Sequence, residues 1–190
     1  MINKIKRIGK FLLIAITIGI IFSLGKYFFS WDKIEIDTSL SKKTLFKDFN
    51  HQKQQYIDGG DSEEIKTNNF KVKIDSLSTE SYSYNIKDKT FFLEIQLFTG
   101  DGFSGGGYNI NIINNRYKLF PYHYTDNVKP FNFFEGEDYY KVLNKKLILN
   151  KDSYKKGDSI FGYIELKIQK RYGSEKYFEE GRGYFKGIVN

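Results

Sequence analysis

The residues that could take part in catalysis are few. The chain of 190 residues has no cysteine and only two histidines, His51 and His123. A serine nucleophile needs a base within hydrogen-bond reach and a third group that orients this base. Ser104 lies in the glycine-rich fragment TGDGFSGGGY (residues 99–108), so one of the two histidines would be its base and Asp126 could be the orienting carboxylate. The sequence therefore offers one serine-based constellation, assembled from distant positions.

The same glycine-rich fragment is close to two known motifs without matching either. Around Ser104 it resembles the Gly-Asp-Ser-Gly-Gly sequence of chymotrypsin-like proteases, but Gly102 and Phe103 interrupt the order. It lacks the Gly-Lys-Ser/Thr ending of a phosphate-binding loop, and no helix is predicted to follow it. We predict a flexible loop between two strands. Contact with a ligand is the alternative, because loops on rigid scaffolds often carry binding residues.

Metal sites and cofactors are not indicated by the sequence. Four acidic residues in one polar segment could offer oxygen ligands to calcium, namely Asp58, Asp61, Glu63 and Glu64. Their spacing lacks the order of a known calcium loop, so a solvated acidic loop is the better interpretation. Zinc needs several histidine or cysteine ligands, and two distant histidines are too few. We therefore predict neither a metal nor a cofactor.

Aromatic residues are the main anomaly of the composition, with 18 Phe, 15 Tyr and 1 Trp, and residues 117–140 contain the densest group. Packing in a core and across strands explains most such residues. The alternative is an aromatic platform for a sugar, a peptide or a partner protein. Pro121 and Pro130 favour this alternative, because they place part of the segment among turn residues where some rings are exposed. The candidate ligand-binding or partner-binding residues are Tyr122, His123, Tyr124, Phe133 and Phe134.

Runs of alternating apolar and polar residues dominate the chain after Phe70, as expected of strands with one face in a core. Glycines separate these runs, and Asn114-Asn115 suits a hairpin turn because asparagine tolerates positive φ. The pattern favours a sandwich or a barrel. We predict an all-β domain over residues 70–190, an antiparallel β-sandwich of immunoglobulin-like type. Its expected strands number about eight, at residues 70–74, 82–86, 91–97, 108–112, 117–119, 142–149, 159–168 and 184–189.

One predicted hairpin has a recognisable pattern. Residues 147–168 read LILNKDSYKKGDSIFGYIELKI, in which Gly157 supplies the backbone freedom for a turn. Gly162 within the following strand predicts a bulge or a close approach. The order Y-x-x-G-D-x-I-x-G-x-I resembles a hairpin of several immunoglobulin-like sandwiches, including arrestin-like and macroglobulin-like domains. This resemblance implies a fold class and transfers no functional residue.

Residues 11–31 (FLLIAITIGIIFSLGKYFFSW) form an apolar run with one charge, Lys26. A spanning helix needs about 20 apolar residues, and Lys26 could reach the interface on its long side chain. The bases that precede the run keep the N-terminus in the cytoplasm; they are Lys4, Lys6, Arg7 and Lys10. We predict a cytoplasmic segment (1–10), a transmembrane signal anchor (11–31) and an extracytoplasmic domain on the cell membrane.

Two alternatives remain for the apolar run. The first is a cleaved signal peptide, with Ser23 and Gly25 as the small residues before a cleavage at Lys26, which would give a secreted or periplasmic domain. The second is a buried helix of a soluble protein. With the signal anchor, we predict that residues 32–69 hold a membrane-proximal helix, from about Lys42 to Tyr56, and a polar loop.

The net charge of +7 does not indicate nucleic-acid binding. Five of the 30 basic residues precede Asp32 and no acidic residue does, so the remaining chain has 25 basic and 23 acidic residues. A domain with nearly equal numbers of basic and acidic residues lacks the excess positive charge that binds nucleic-acid phosphates. We therefore predict a non-catalytic binding module at the cell envelope, with an envelope protein or a glycan as its partner. The alternative is an exported hydrolase that uses Asp or Glu and a histidine such as His123.

Overall fold

The computed structural model describes residues 2–49, 68–75, 78–126, 139–172 and 175–190. The chain divides into two compact units, Met1–Asp32 and Lys33–Asn190. The first unit contains helix α1 (Ile2–Phe29). The apolar side chains that the structure describes along this helix are exposed, with Phe11 and Phe22 each 73% accessible. Among the described residues, no helix combines the length and the apolar character needed to cross a membrane.

Two β-sheets make up the second unit, and the all-β sandwich predicted from the sequence is confirmed. Sheet A has the strand order β1–β8–β7–β6–β5, and sheet B has the order β2–β9–β10–β11–β3–β4. The strands are β1 (Asp32–Lys33), β2 (Glu35–Ile36), β3 (Lys71–Ile74), β4 (Ser78–Ser81), β5 (Ser83–Asp88), β6 (Leu93–Gly100), β7 (Ser104–Ile113), β8 (Arg116–Thr125), β9 (Tyr139–Leu149), β10 (Ser159–Tyr172) and β11 (Glu175–Ile188).

The structure has more strands than the eight predicted, and sheet B is mixed. Strand β2 pairs with β9 in the parallel direction, with Glu35 opposite Ile148. Strands β1 and β2 have two residues each, too few for an alternating pattern to be detected. Strand β4 reads Ser-Thr-Glu-Ser and has no apolar residue that would mark an inner face. Each of the eight predicted runs overlaps an observed strand.

Alternating side chains of the two sheets form one core, as the period of two requires. In β10 every second residue from Ile160 to Ile168 is buried. The facing strands of sheet A contribute fully buried residues such as Ile95, Leu97 and Ile110. Burial of these aliphatic side chains is the main favourable term that holds the sheets together.

Two predicted turns are confirmed by the backbone. Asn114 and Asn115 have φ values of 46° and 59°, and they join β7 to β8. Gly157, with a φ of 88°, lies in the turn before β10. Gly162 is a site of close approach: an added Cβ would lie 2.1 Å from Cζ of Phe185. The register irregularity of β10 with β9 occurs elsewhere, between Lys167 and Ile168.

Residues 33–49 pack on the sandwich. Ile34 is buried in the main core. Leu40, Phe46 and Phe49 form a second cluster, in which the ring of Phe46 meets that of Phe161 in sheet B edge to face at 5.1 Å. Where the sequence predicts an α-helix from Lys42, the described residues form two short 3-10 segments, Leu40–Lys42 and Thr44–Lys47. The rest of that predicted helix, residues 50–56, lies outside the described residues.

Candidate functional site

A cavity of about 500 Å³ lies between the two sheets, at the end of the sandwich where β6 turns into β7. We call this end the polar end. Inward positions of several strands there carry polar side chains instead of aliphatic ones. In β10 the buried series ends at Ile168 and is followed, two residues on, by Lys170; in β6 Leu97 is followed by Thr99. The same change occurs in β8 and β11, which contribute His123 and Glu179 to the lining.

Tyr82 and Tyr108 form the inner limit of the cavity, where it meets the core. Their rings are stacked, with centroids 5.6 Å apart and an interplanar angle of 28°. The Tyr108 hydroxyl donates a hydrogen bond to Oε2 of Glu179 at 2.7 Å, and the Tyr82 hydroxyl lies 3.5 Å from Oε2 of Glu80. Burial, reinforced by the nearby glutamates, raises the pKa of both tyrosines. Both hydroxyls are therefore neutral at physiological pH.

The wall contributed by β7 is made of three consecutive glycines, Gly105 to Gly107. A Cβ at Gly107 would lie 2.0 Å from the backbone oxygen of Leu97, and one at Gly105 would lie 2.3 Å from that of Thr99. The neighbouring strand is too close for side chains at these positions. Gly106 pairs with Thr99 and occupies an inward position of β7. An added Cβ there would lie 2.8 Å from the backbone oxygen of Tyr122, so the backbone of β8 also approaches closely at this position.

The predicted loop over residues 99–108 is wrong in extent. Strand β6 continues to Gly100 and β7 begins at Ser104, so only residues 101–103 connect them. Asp101 closes this turn, because its Oδ1 accepts hydrogen bonds from the backbone N–H groups of Phe103 (2.9 Å) and Ser104 (2.8 Å). These bonds lower the pKa of Asp101. Because Gly105, Gly106 and Gly107 lie within β7, they take part in strand pairing, which the sequence pattern did not indicate.

The residues of the predicted serine constellation meet only in part. Ser104 and His123 both line the cavity. Asp126 donates its backbone N–H to the oxygen of Phe103 at 2.8 Å. Asp101, a carboxylate that lines the cavity together with Ser104, accepts hydrogen bonds from the turn amides. His51 lies outside the described residues.

The predicted binding residues have different outcomes. Tyr122 and His123 line the cavity, and the Tyr122 hydroxyl accepts a hydrogen bond from Nε2 of Gln96 at 3.0 Å. Tyr124 is 40% exposed, and its hydroxyl would lie 2.7 Å from a Cβ at Gly105. Phe133 and Phe134 lie outside the described residues.

Apart from Tyr140, which belongs to the aromatic segment 117–140, the sequence pattern did not single out the wall contributed by sheet B. Glu80, Glu179 and Ile74 line it, together with Tyr140 and Lys170. The Lys170 ammonium lies 5.5 Å from the ring centroid of Tyr140. A polar residue at an inward position near a strand end is the signal that could have found these residues.

Among the residues that the structure describes, no group of three or more His, Cys, Asp or Glu side chains could hold a metal ion. The acidic residues considered for calcium, Asp58 to Glu64, lie outside the described residues.

No protein-family model, curated protein or solved structure matches the chain at a significant level. The candidate function therefore depends on the geometry of the cavity and on the sequence pattern.

Proposed function

We propose that the protein is a non-catalytic binding module whose β-sandwich binds a ligand in the cavity at the polar end. The observation that carries this proposal is the replacement of aliphatic core residues by polar residues at inward positions of several strands around one cavity. A volume of about 500 Å³ lies within the roughly 300–1,000 Å³ range of small-ligand pockets. Rigid strands position the lining, which favours selective binding.

A hydrolase is the alternative, because Glu80 and Glu179 line the same cavity as His123. Two carboxylates and a histidine could supply acid and base groups. Two carboxylates of the lining are already engaged in the protein. Glu179 accepts a hydrogen bond from the Tyr108 hydroxyl, and Asp101 accepts hydrogen bonds from two turn amides. These fixed contacts favour ligand binding over catalysis. The enzyme alternative predicts an activity that disappears in His123→Ala while the fold is kept.

The proposal includes attachment of the sandwich to a membrane by α1, with the N-terminus in the cytoplasm and the sandwich outside. Support comes from the four bases before the apolar run and from the exposed apolar side chains of this 28-residue helix. A partner at the cell envelope, either a protein or a glycan, follows from that location. The immunoglobulin-like type of the sandwich also stays a prediction.

Membrane attachment is tested by fractionating cells that express the full-length chain, with carbonate extraction and intact-mass measurement. A full-length mass in the carbonate-resistant pellet would support the anchor. Release by carbonate at full length would contradict it. A soluble product that begins near Lys26 would replace the anchor with a cleaved signal peptide.

Ligand binding is tested with full-length protein that carries 3-fluorotyrosine, using ¹⁹F spectra recorded with saccharides, peptides and amines. A ligand of the cavity should shift the signals of Tyr82 and Tyr108. The variant Thr99→Trp, which places a large side chain in the cavity, should abolish the shift. Phe98→Trp is the matched control, because Phe98 precedes Thr99 and faces the opposite side of the strand. If no compound moves these signals, the proposal is wrong.

A further inference from the structure

We infer that the cavity at the polar end binds an organic ammonium ion, the cationic group of a polyamine or of a lysine side chain. The inference rests on the proposed function, because it assigns a ligand class to the same cavity.

The first argument is the charge of the lining. Among the lining residues that the structure describes, Glu80, Asp101 and Glu179 carry carboxylates, and Lys170 supplies the one ammonium group. With histidine counted as neutral, as in the net charge of the chain, the described lining residues have a formal charge of −2. Charges in a partly enclosed cavity are screened less than charges on an open surface. The lining therefore favours a cationic ligand over an anionic one.

The second argument is the way in which the protein places its own ammonium group. Lys170 Nζ lies 5.5 Å from the ring centroid of Tyr140, within the distance of about 6 Å at which a cation is attracted to an aromatic face. The cavity thus already accommodates one ammonium ion against a tyrosine. Lys170 compensates for only one of the carboxylates, which leaves negative charge for a second cation.

The third argument is the hydrogen-bonding character of the inner limit. Tyr108 donates its hydroxyl proton to Glu179, so its oxygen still has lone pairs that can accept. An ammonium group has three donors and no acceptor. Carboxylate and phenolic oxygens are therefore suitable partners for it. The three glycines of the opposite wall contribute no side chains to the cavity, whose volume of about 500 Å³ can hold the carbon chain of the ligand.

Isothermal titration of the full-length protein in a non-ionic polyoxyethylene detergent tests the inference with three probes. They are spermidine, the blocked peptide Ac-Gly-Lys-Gly-amide, and the same peptide with an acetylated lysine. We expect at least one charged probe to bind, and the acetylated peptide to bind about tenfold more weakly or not at all. The stronger of the two charged probes distinguishes a free polyamine from a lysine side chain.

Two neighbouring glutamates provide a matched pair of variants. Glu179→Gln should weaken binding of the charged probe about tenfold, since it removes a carboxylate from the lining. Glu180→Gln should leave binding unchanged, because Glu180 faces the surface and pairs with Lys167 at 2.6 Å. Lys170→Met should strengthen binding, because it removes the competing ammonium. If Glu179→Gln does not fold, Glu80→Gln takes its place.

Three results would overturn the inference. The first is equal binding of the charged and acetylated peptides, and the second is equal weakening by Glu179→Gln and Glu180→Gln. The third is binding of a neutral saccharide that Thr99→Trp blocks while both charged probes fail; the proposed function would then stand and the ammonium ligand would be rejected. If neither the saccharide nor the charged probes shift the tyrosine signals, both proposals fail.

Discussion

The two ends of the sandwich use the same strands in opposite ways. At one end, which we call the filled end, Ile160, Ile164 and Phe185 are buried completely. At the polar end the inward positions of the same two strands hold Lys170 and Glu179, which line a cavity. The alternation of the strand decides which side chains face inward at both ends. The type of residue at those positions decides whether the space between the sheets is filled or left open.

Inward glycines at the two ends have different neighbours. At the filled end Gly162 makes room for the ring of Phe185, whose Cζ would lie 2.1 Å from an added Cβ. At the polar end an added Cβ at Gly106 would lie 2.8 Å from the backbone oxygen of Tyr122. The inward glycine is thus required by a neighbouring side chain at the filled end and by a neighbouring backbone at the polar end.

Removal of the central ring at the filled end should have the largest effect. Phe185→Ala should lower the free energy of unfolding by about 3–5 kcal/mol, because it creates a cavity in a tightly packed core. Urea unfolding of the full-length chain, followed by circular dichroism, measures this change. Phe178→Ala in the same strand is the control, since Phe178 is 41% exposed, and its effect should be within about 0.5 kcal/mol. Equal effects of the two variants would remove the distinction between buried and exposed positions.

A methyl group added at the filled end should have a smaller effect. Gly162→Ala should cost about 1–3 kcal/mol, because the buried Phe185 ring cannot move away without disturbing the core. The double variant Gly162→Ala/Phe185→Leu, which replaces the ring with a smaller side chain, should cost less than the sum of the two single changes. Strict additivity of the two changes would show that the glycine and the ring do not depend on each other.

A change at the polar end should affect stability less and binding more. Tyr108→Phe should lower the free energy of unfolding by about 1 kcal/mol, the net value of a typical hydrogen bond, since it removes the bond to Glu179. The same variant should alter binding of the charged probe in the titration described above. A loss of stability as large as that of Phe185→Ala would mean that the polar end serves mainly as core.

The smallest expected effect concerns alkaline pH. Burial raises the pKa of Tyr84 at the filled end to about 12, above the ordinary value of 10.0. Its contribution to stability should therefore be complete below pH 10 and should be lost as the pH rises towards 12. Tyr84→Phe should flatten the decline in the urea midpoint between pH 9.5 and 11, whereas Tyr139→Phe, at an exposed position, should not. An unchanged slope in Tyr84→Phe would contradict the role of this tyrosine.

Much of the fold could be predicted from local patterns. Period-two alternation located eight of the strands that the structure describes, and Asn114-Asn115 was recognised as a turn because asparagine accepts positive φ. Strands β1, β2 and β4 were not predicted, because two residues or an all-polar run give no periodic signal. The loop expected at residues 99–108 is instead mostly strand, because adjacent backbones approach closely at Gly105 and Gly107 and exclude side chains.

The candidate site was predicted less completely than the fold. Tyr122 and His123 were selected for their aromatic surroundings, and both line the cavity. Glu80, Glu179 and Lys170 were not selected, because a single charged residue near the end of a strand does not differ from a solvated surface residue in the sequence. Their common feature, an inward position, becomes visible only when the strands are aligned.

The sequence by itself determined the β-rich character of the domain, two of its turns and the inward side of the strands with alternating residues, because these follow from spacing along one segment. Only the tertiary structure decided that Glu80, Thr99, His123 and Lys170 share one cavity. These residues belong to four different strands in two sheets. Pairing across the sheets brings together positions far apart in the chain, and no local pattern specifies that pairing.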